Sequence, residues 1–170
     1  MKILMSDLAL QSLRSQIDAA LPGRVVECVS FEDAIASGRR DFDAAIVSRD
    51  VTGLSTKHEL APSLKACYQV LEESAQLRWV HIHSAGADRD VYVRLKAKGV
   101  QIATSSGANA EVVAQTALAG LLALSRKFPQ LVHAMQERKW APLLGGELPK
   151  DLAGQHVVLV GWGPIAQRLA

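Results

Sequence analysis

The residues best placed to do chemistry stand at the end of this 170-residue chain, where His156-Val157-Val158-Leu159-Val160 runs into Gly161-Trp162-Gly163-Pro164-Ile165-Ala166. An apolar, β-branched run feeding glycines predicts a strand buried on both faces, a tight turn and then a helix. In a dinucleotide-binding βαβ unit the first glycine makes the turn and the second lets the backbone approach a pyrophosphate. A third small residue lets helix and strand pack closely. Gly161, Gly163 and Ala166 hold those three places. Glycines after an apolar run are also common in plain loops, so the motif needs its context. Other reactive residues carry less. His81 and His83 alternate along one predicted strand, but no third ligand lies near enough in sequence for a metal site, and an ordinary strand-face pair is the simpler reading. Ser84 lacks the G-x-S-x-G setting of a nucleophile. Arg49-Asp50 reads as a solvated loop pair at the end of a strand.

Stepping along the chain, strand and helix alternate five times. Lys2 to Met5 predicts a first strand, and Ser6-Asp7 caps a helix with Leu10, Leu13, Ile17 and Leu21 at helical spacing. Pro22-Gly23 ends it. Val25 to Val29 is a second strand, followed by a capping box at Ser30-Phe31-Glu32-Asp33 and a short helix stopping near Gly38. Asp43 to Ser48 is a third strand. A helical stretch opens at Ser55-Thr56, with Leu60, Leu64, Cys67, Tyr68 and Leu71 on one face. Arg78 to His83 is a fourth strand, Ser84 to Ala87 a small-residue turn, and Asp88 the cap of a helix that Gly99 terminates before a fifth strand at Val100 to Ala103. This alternation predicts a parallel sheet with helices on both faces, whose ligands sit beyond the carboxyl ends of the strands, where the Ser84 turn would lie.

The rhythm then changes. Thr104 to Asn109 is a polar loop, and Glu111 to Leu124 is a helix with apolar or small residues almost all round, which predicts that it is clamped between layers. Pro129 breaks it, a second helix carries Leu131, Val132 and Met135, and Ala141 to Lys150 is a connector.

Composition narrows the function classes. Nineteen Lys and Arg against seventeen Asp and Glu give a formal charge of +2, too little to argue for nucleic acid or an anionic membrane. No run is apolar and long enough to span a bilayer, and Asp7 interrupts the N-terminal apolar run too early for a signal peptide. Cys28 and Cys67 have no metal-ligand spacing and read as reduced core residues of a cytoplasmic protein. Small molecules are the expected partners.

Four ordered stretches share one pattern. They are His83-Ser84-Ala85-Gly86-Ala87-Asp88; Thr104-Ser105-Ser106-Gly107-Ala108-Asn109-Ala110-Glu111-Val112-Val113-Ala114-Gln115; Gln136-Glu137-Arg138-Lys139-Trp140; and Asp151-Leu152-Ala153-Gly154 leading into the glycine turn. In content, order and spacing they resemble the NAD(P)-dependent D-isomer-specific 2-hydroxyacid dehydrogenases. The resemblance covers essentially the whole chain. It implies a flavodoxin-like, doubly wound α/β substrate-binding domain at residues 1–104, linking helices and connector at 105–150, and the first βα unit of a Rossmann nucleotide-binding domain at 151–170.

The implied reaction is hydride transfer between NAD or NADP and C2 of a small 2-hydroxy or 2-keto acid. By resemblance, the backbone around Ala85 and Gly86 holds the substrate carboxylate, Gly161, Gly163, Pro164, Ile165 and Ala166 lie against the cofactor, and the complete protein is a homodimer. Two departures stand out: Gln115-Thr116 replaces the family's usual Glu-His, and Ala166 its third glycine. The family's catalytic arginine, glutamate and histidine map onto no residue here, so the chain alone is expected to be inactive. The competing reading is a non-catalytic flavodoxin-like interaction module with a vestigial glycine loop.

Overall fold

Five strands form where short apolar runs lie between polar turns: β1 Lys2–Met5, β2 Glu27–Ser30, β3 Ala44–Val47, β4 Trp79–Ile82 and β5 Gln101–Thr104. The computed structural model describes residues 1–56 and 58–170. All neighbouring strands pair in parallel, in the order β2-β1-β3-β4-β5. The register sets Lys2 against Glu27, Ile3 against Ala44, Ala44 against Trp79 and Trp79 against Gln101. This is the five-stranded parallel α/β sheet that the alternation predicts.

Successive side chains of a strand point to opposite faces, and two cores result. Leu4, Val29, Ala45, Val47, Val80 and Ile82 face one core. That side is covered by α2 Phe31–Ser37, α4 Pro62–Glu73 and α5 Asp90–Ala97 through residues such as Phe31, Leu71 and Leu95. Ile3, Met5 and Ala44 face the other, where α1 Asp7–Ala20 lays down Ala9, Leu10, Leu13 and Ile17. Beside α1, the sheet leaves a groove of about 740 Å³ lined in part by Ile3, Ile17, Ile46 and Trp79.

Local chemistry fixes the helix ends. Ser6 Oγ accepts from Ala9 N at 3.1 Å and Ser30 Oγ from Asp33 N at 3.0 Å, so both predicted N-caps form. Gly38 closes α2 in the left-handed region at φ 70°. Two helix starts differ from expectation. α4 begins at Pro62, because Ala61 before the proline is held extended; Ser55 and Thr56 instead make side-chain turns, Ser55 Oγ accepting from Ala61 N and Thr56 Oγ1 from Glu59 N. α5 begins at Asp90 with Arg89 in the cap position and no side-chain cap bond, so Asp88 is not its cap. Residues Arg49–Thr52 add a helical turn, α3, where a loop was expected.

The chain divides into two units, Met1–Ser105 and Ser106–Ala170. The second contains α6 Ala110–Ser125, α7 Phe128–Gln136 and α8 Pro164–Leu169. Two expectations fail in it. Residues 157–160 form no strand, and Val158 and Val160 are exposed, since no described segment lies alongside to complete the backbone hydrogen bonds a strand requires. The apolar α6 is not clamped: Ala110 and Ala114 are its buried residues, while Val112 and Leu124 are exposed.

Candidate functional site

The carboxyl edge of the sheet concentrates the polar groups of the first unit. From β1 the chain goes outward to β2 and then returns to β3 on the other side of β1, so the switch in direction falls between β1 and β3. Such switch points are the ligand crevices of doubly wound sheets. Here the residues that follow the two strands meet: Ser6 Oγ and Ser48 Oγ are 3.1 Å apart, and both residues are in or next to the helix-opening turns. Burial acts to raise the carboxyl of Asp50, but hydrogen bonds from the Ser48 and Ser6 hydroxyls outweigh it and hold the group below its usual value.

Next to this crevice, β4 delivers His83 and the loop Ser84 to Ala87. The His83 amide donates to Val47 O at 3.0 Å, which ties the loop's start to the end of β3. Ser84 Oγ donates to Gly86 O at 2.9 Å and folds the loop on itself. Ser105, just past β5, holds it from the other side, its amide donating to Ile82 O and Ser84 O at 3.1 Å each. The amides of Ala85 and Gly86 donate to no other described residue, and both residues are exposed. Two adjacent unpaired N–H groups are thus presented at the ligand edge, the arrangement that receives a carboxylate oxygen. Gly86 does not occupy the left-handed region, so its role is not backbone conformation; an added Cβ would meet Asp88 Oδ1 at 3.5 Å, an ordinary contact.

The two histidines part company. His81 stacks on Trp79 with ring centroids 5.9 Å apart, and its Nε2 is 3.0 Å from Ser105 Oγ. His83 lies past the strand end, with Nε2 buried and without a hydrogen-bond partner among the described residues. Burial, then the charges of Arg49 and Arg89, push its pKa down, while Asp50 acts the other way. Arg89 Nη2 donates to Ser55 O at 3.1 Å, whereas its Nη1 is buried and also lacks a partner among the described residues. Arg89 carried no signal in the sequence and Ser105 stood there only as a member of a loop motif; the importance of both comes from where the fold brings them. Both cysteines are free; burial pushes the Cys67 thiol well up, as befits an inert core residue.

In the second unit, Gly161, Gly163, Pro164, Ile165 and Ala166 line one hollow of about 390 Å³ together with Leu159, Val160 and Leu169. Gly161 has φ 97°, a left-handed value that favours glycine, and Gly163 caps α8 in an extended conformation. A Cβ at either glycine would meet nothing within 4 Å, so both backbones are open to close approach by a ligand. These residues fit a dinucleotide's pyrophosphate in that respect, although the strand that should precede them is not formed. Gly107 belongs to this neighbourhood as well: at φ 90°, a Cβ there would stand 3.4 Å from Pro164 Cβ.

No family model matches the chain. It is 29% identical over 107 residues to a hydroxypyruvate reductase of Thermotoga maritima, a match covering 62% of this chain and 34% of the relative. Its fold is that of a glyoxylate reductase from Paecilomyes thermophila (TM-score 0.64, 16% identity, 99% of this chain and 51% of that one). A D-lactate dehydrogenase from Treponema pallidum is similar in the same way (TM-score 0.60, 19% identity, 99% of this chain and 49% of that one). The chain therefore spans about a third of the length of the curated relative it matches and about half of the solved structures. The chain is thus similar in fold to these two dehydrogenases and, over the matched residues, similar in sequence to the hydroxypyruvate reductase.

Proposed function

We propose that this chain is the substrate-binding part, with the opening of the nucleotide-binding part, of an NAD(P)-dependent oxidoreductase that moves a hydride between nicotinamide and C2 of a small 2-hydroxy or 2-keto acid. The observation that carries this reading is the pair of exposed, unpaired amides of Ala85 and Gly86 beyond the carboxyl end of β4. They hold the acid's carboxylate, and Ser84 and Ser105 keep the loop in place. Gly161, Gly163, Pro164, Ile165 and Ala166 would hold the dinucleotide, which when bound supplies the hydride donor or acceptor. In this reading, residues 1–104 are the substrate domain, 105–150 the linking helices and connector, and 151–170 the start of the nucleotide-binding domain. The complete protein acts in the cytoplasm as a homodimer. Support for a non-membrane setting is that, among the described residues, no helix is long and apolar enough to cross a membrane.

The test is Gly86→Val in the enzyme containing this chain. An added isopropyl group beside the unpaired amide, near Asp88 Oδ1 at Cβ level, obstructs the carboxylate. We expect KM for glyoxylate or hydroxypyruvate to rise at least about tenfold with NADH affinity unchanged. Unchanged kinetics in a folded variant, or no NADH oxidation by the unmodified enzyme with any 2-keto acid, refutes the assignment.

A further inference from the structure

The loop that presents the Ala85 and Gly86 amides is tied to the sheet by Ser105, and Ser105 has a side-chain partner outside the loop. Trp79 and His81 alternate with Val80 and Ile82 along β4, so they stand on the α1 face, opposite the core that takes Val80 and Ile82. The parallel register sets His81 beside Ala103, whose small side chain leaves the diagonal toward Ser105 open. His81 Nε2 lies 3.0 Å from Ser105 Oγ along that diagonal. The Trp79 indole steadies the imidazole, stacked at 24° with centroids 5.9 Å apart. A hydroxyl has one hydrogen to give. Ser105 gives it to Ile82 O at 3.3 Å, a carbonyl that can only accept. The contact with His81 must then run from Nε2–H to Oγ, which puts the hydrogen of the neutral ring on Nε2 and leaves Nδ1 bare. The last ladder pair of β4 and β5 is Ile82 with Thr104, so no strand register holds Ser105. Its hydroxyl, pinned at both ends, does so instead, and its amide stays aimed at Ile82 O and Ser84 O, 3.1 Å from each.

Resting on the reading above, in which the loop amides take the acid's carboxylate, we propose that His81 is a positioning residue for that site. Its Nε2–H orients Ser105, and Ser105 sets the Ser84 carbonyl and the two amides that follow. His81 acts without meeting the ligand. Its contribution is order: a site made of main-chain N–H groups grips only as well as its peptides are aimed, and any peptide left free to rotate must be ordered by the ligand itself. This separates His81 from His83, whose Nε2 has no partner among the described residues. What the bond with Ser105 needs is a donor at the Nε2 position, not an imidazole as such. Glutamine can supply one there and phenylalanine cannot.

The experiment is amide NMR of the 170-residue chain, titrated with acetate as the carboxylate probe. Acetate should shift the Ala85 and Gly86 amides, and their movement gives its Kd. His81→Phe keeps a flat ring against Trp79 and removes the donor. It should weaken acetate about fivefold, the worth of one neutral hydrogen bond, and speed exchange of the Ser105 amide by about the same factor. His81→Gln restores the donor, so both quantities should return to within about twofold of the unaltered chain. Ser105→Ala should weaken acetate as His81→Phe does, and combining the two should add nothing, since they lie on one path. Nitrogen NMR of the neutral His81 ring should find its hydrogen on Nε2. His81 and Ser105 are only half-buried, so these variants open no core; circular dichroism confirms it. Binding and exchange unchanged by His81→Phe, glutamine no better than phenylalanine, losses that add in the double variant, or a ring hydrogen on Nδ1 each overturn the proposal. The two readings fail separately. If acetate leaves the Ala85 and Gly86 amides of the unaltered chain unmoved, the carboxylate site falls, and Ser105 exchange in His81→Phe and His81→Gln still decides the role of His81.

Discussion

Replacing Ser6 by alanine tests whether the switch-point crevice is held together as a network. Ser6 is buried, caps α1 through Ala9 N at 3.1 Å, and lies 3.1 Å from Ser48 Oγ. Loss of a serine cap costs about 1 kcal/mol, and loss of a second hydrogen bond at a buried hydroxyl costs about 1 kcal/mol more. The expected destabilisation of about 2 kcal/mol corresponds to a fall in Tm of roughly 10 °C for a unit of this size. Ser30→Ala is the control. Ser30 is equally buried and caps α2 through Asp33 N at 3.0 Å, but has no second side-chain partner among the described residues, so it should cost about 1 kcal/mol.

The pH dependence separates the network from the cap. Asp50 is held below its ordinary 3.8, and one of the hydroxyls responsible belongs to Ser6. A depressed carboxyl contributes stability that is complete above its unfolded pKa and is lost as pH falls through the folded one. In Ser6→Ala the folded pKa moves back toward 3.8, so this contribution shrinks. The stability gap between the two proteins should be widest at about pH 7 and narrower at about pH 3, whereas the Ser30→Ala gap should be nearly constant. Urea unfolding followed by circular dichroism measures both. Equal losses for the two serines, or a Ser6→Ala gap that does not change with pH, would refute the network.

Two further outcomes follow from packing. Phe42 is fully buried against the α2, α4 and α5 side of the sheet, and Phe42→Ala should cost about 3–5 kcal/mol in urea titration; a loss under about 1 kcal/mol would mean that this core is not formed as described. Gly107→Ala places a Cβ in the left-handed region and 3.4 Å from Pro164, so amide exchange at Gln167 and Ala170, which close the turns of α8, should accelerate; unchanged exchange would show that Gly107 and Pro164 are not in contact.

The first unit was legible because its signals are local and repeated. Each strand is an apolar run short enough to lie between polar turns, and the alternation of Ile3, Leu4 and Met5 already divides the residues between two cores. The α1 face of Leu10, Leu13 and Ile17 was readable for the same reason. Strand ends were overestimated where the sheet has an edge: Val25 belongs by composition to β2, yet it is exposed because β2 has a neighbour on one side. The start of α4 was misplaced because Pro62 decides it, and proline constrains the residue before it more than a serine cap can compensate. Residues 157–160 show the limit of pattern reading. Their composition is that of a central strand, but a strand is a relation between segments, and no described segment pairs with them. At the site, the small-residue loop was visible in sequence and the charges around it were not, since Arg89, His83 and Asp50 acquire meaning through burial and the partners they lack or share.

Ser105 is the last residue of the first unit, and all of its hydrogen-bonding capacity on that side is committed. Its amide is shared between Ile82 O and Ser84 O, and its hydroxyl meets His81 Nε2 and Ile82 O. The covalent exit from the sheet is therefore also the anchor of the loop that presents the Ala85 and Gly86 amides. One hydrogen bond, from the Ser105 amide, joins that exit to the Ser84 carbonyl, with no side chain between them. The peptide just before the two amides is thus held directly by main chain alone, at the point where the backbone leaves the sheet.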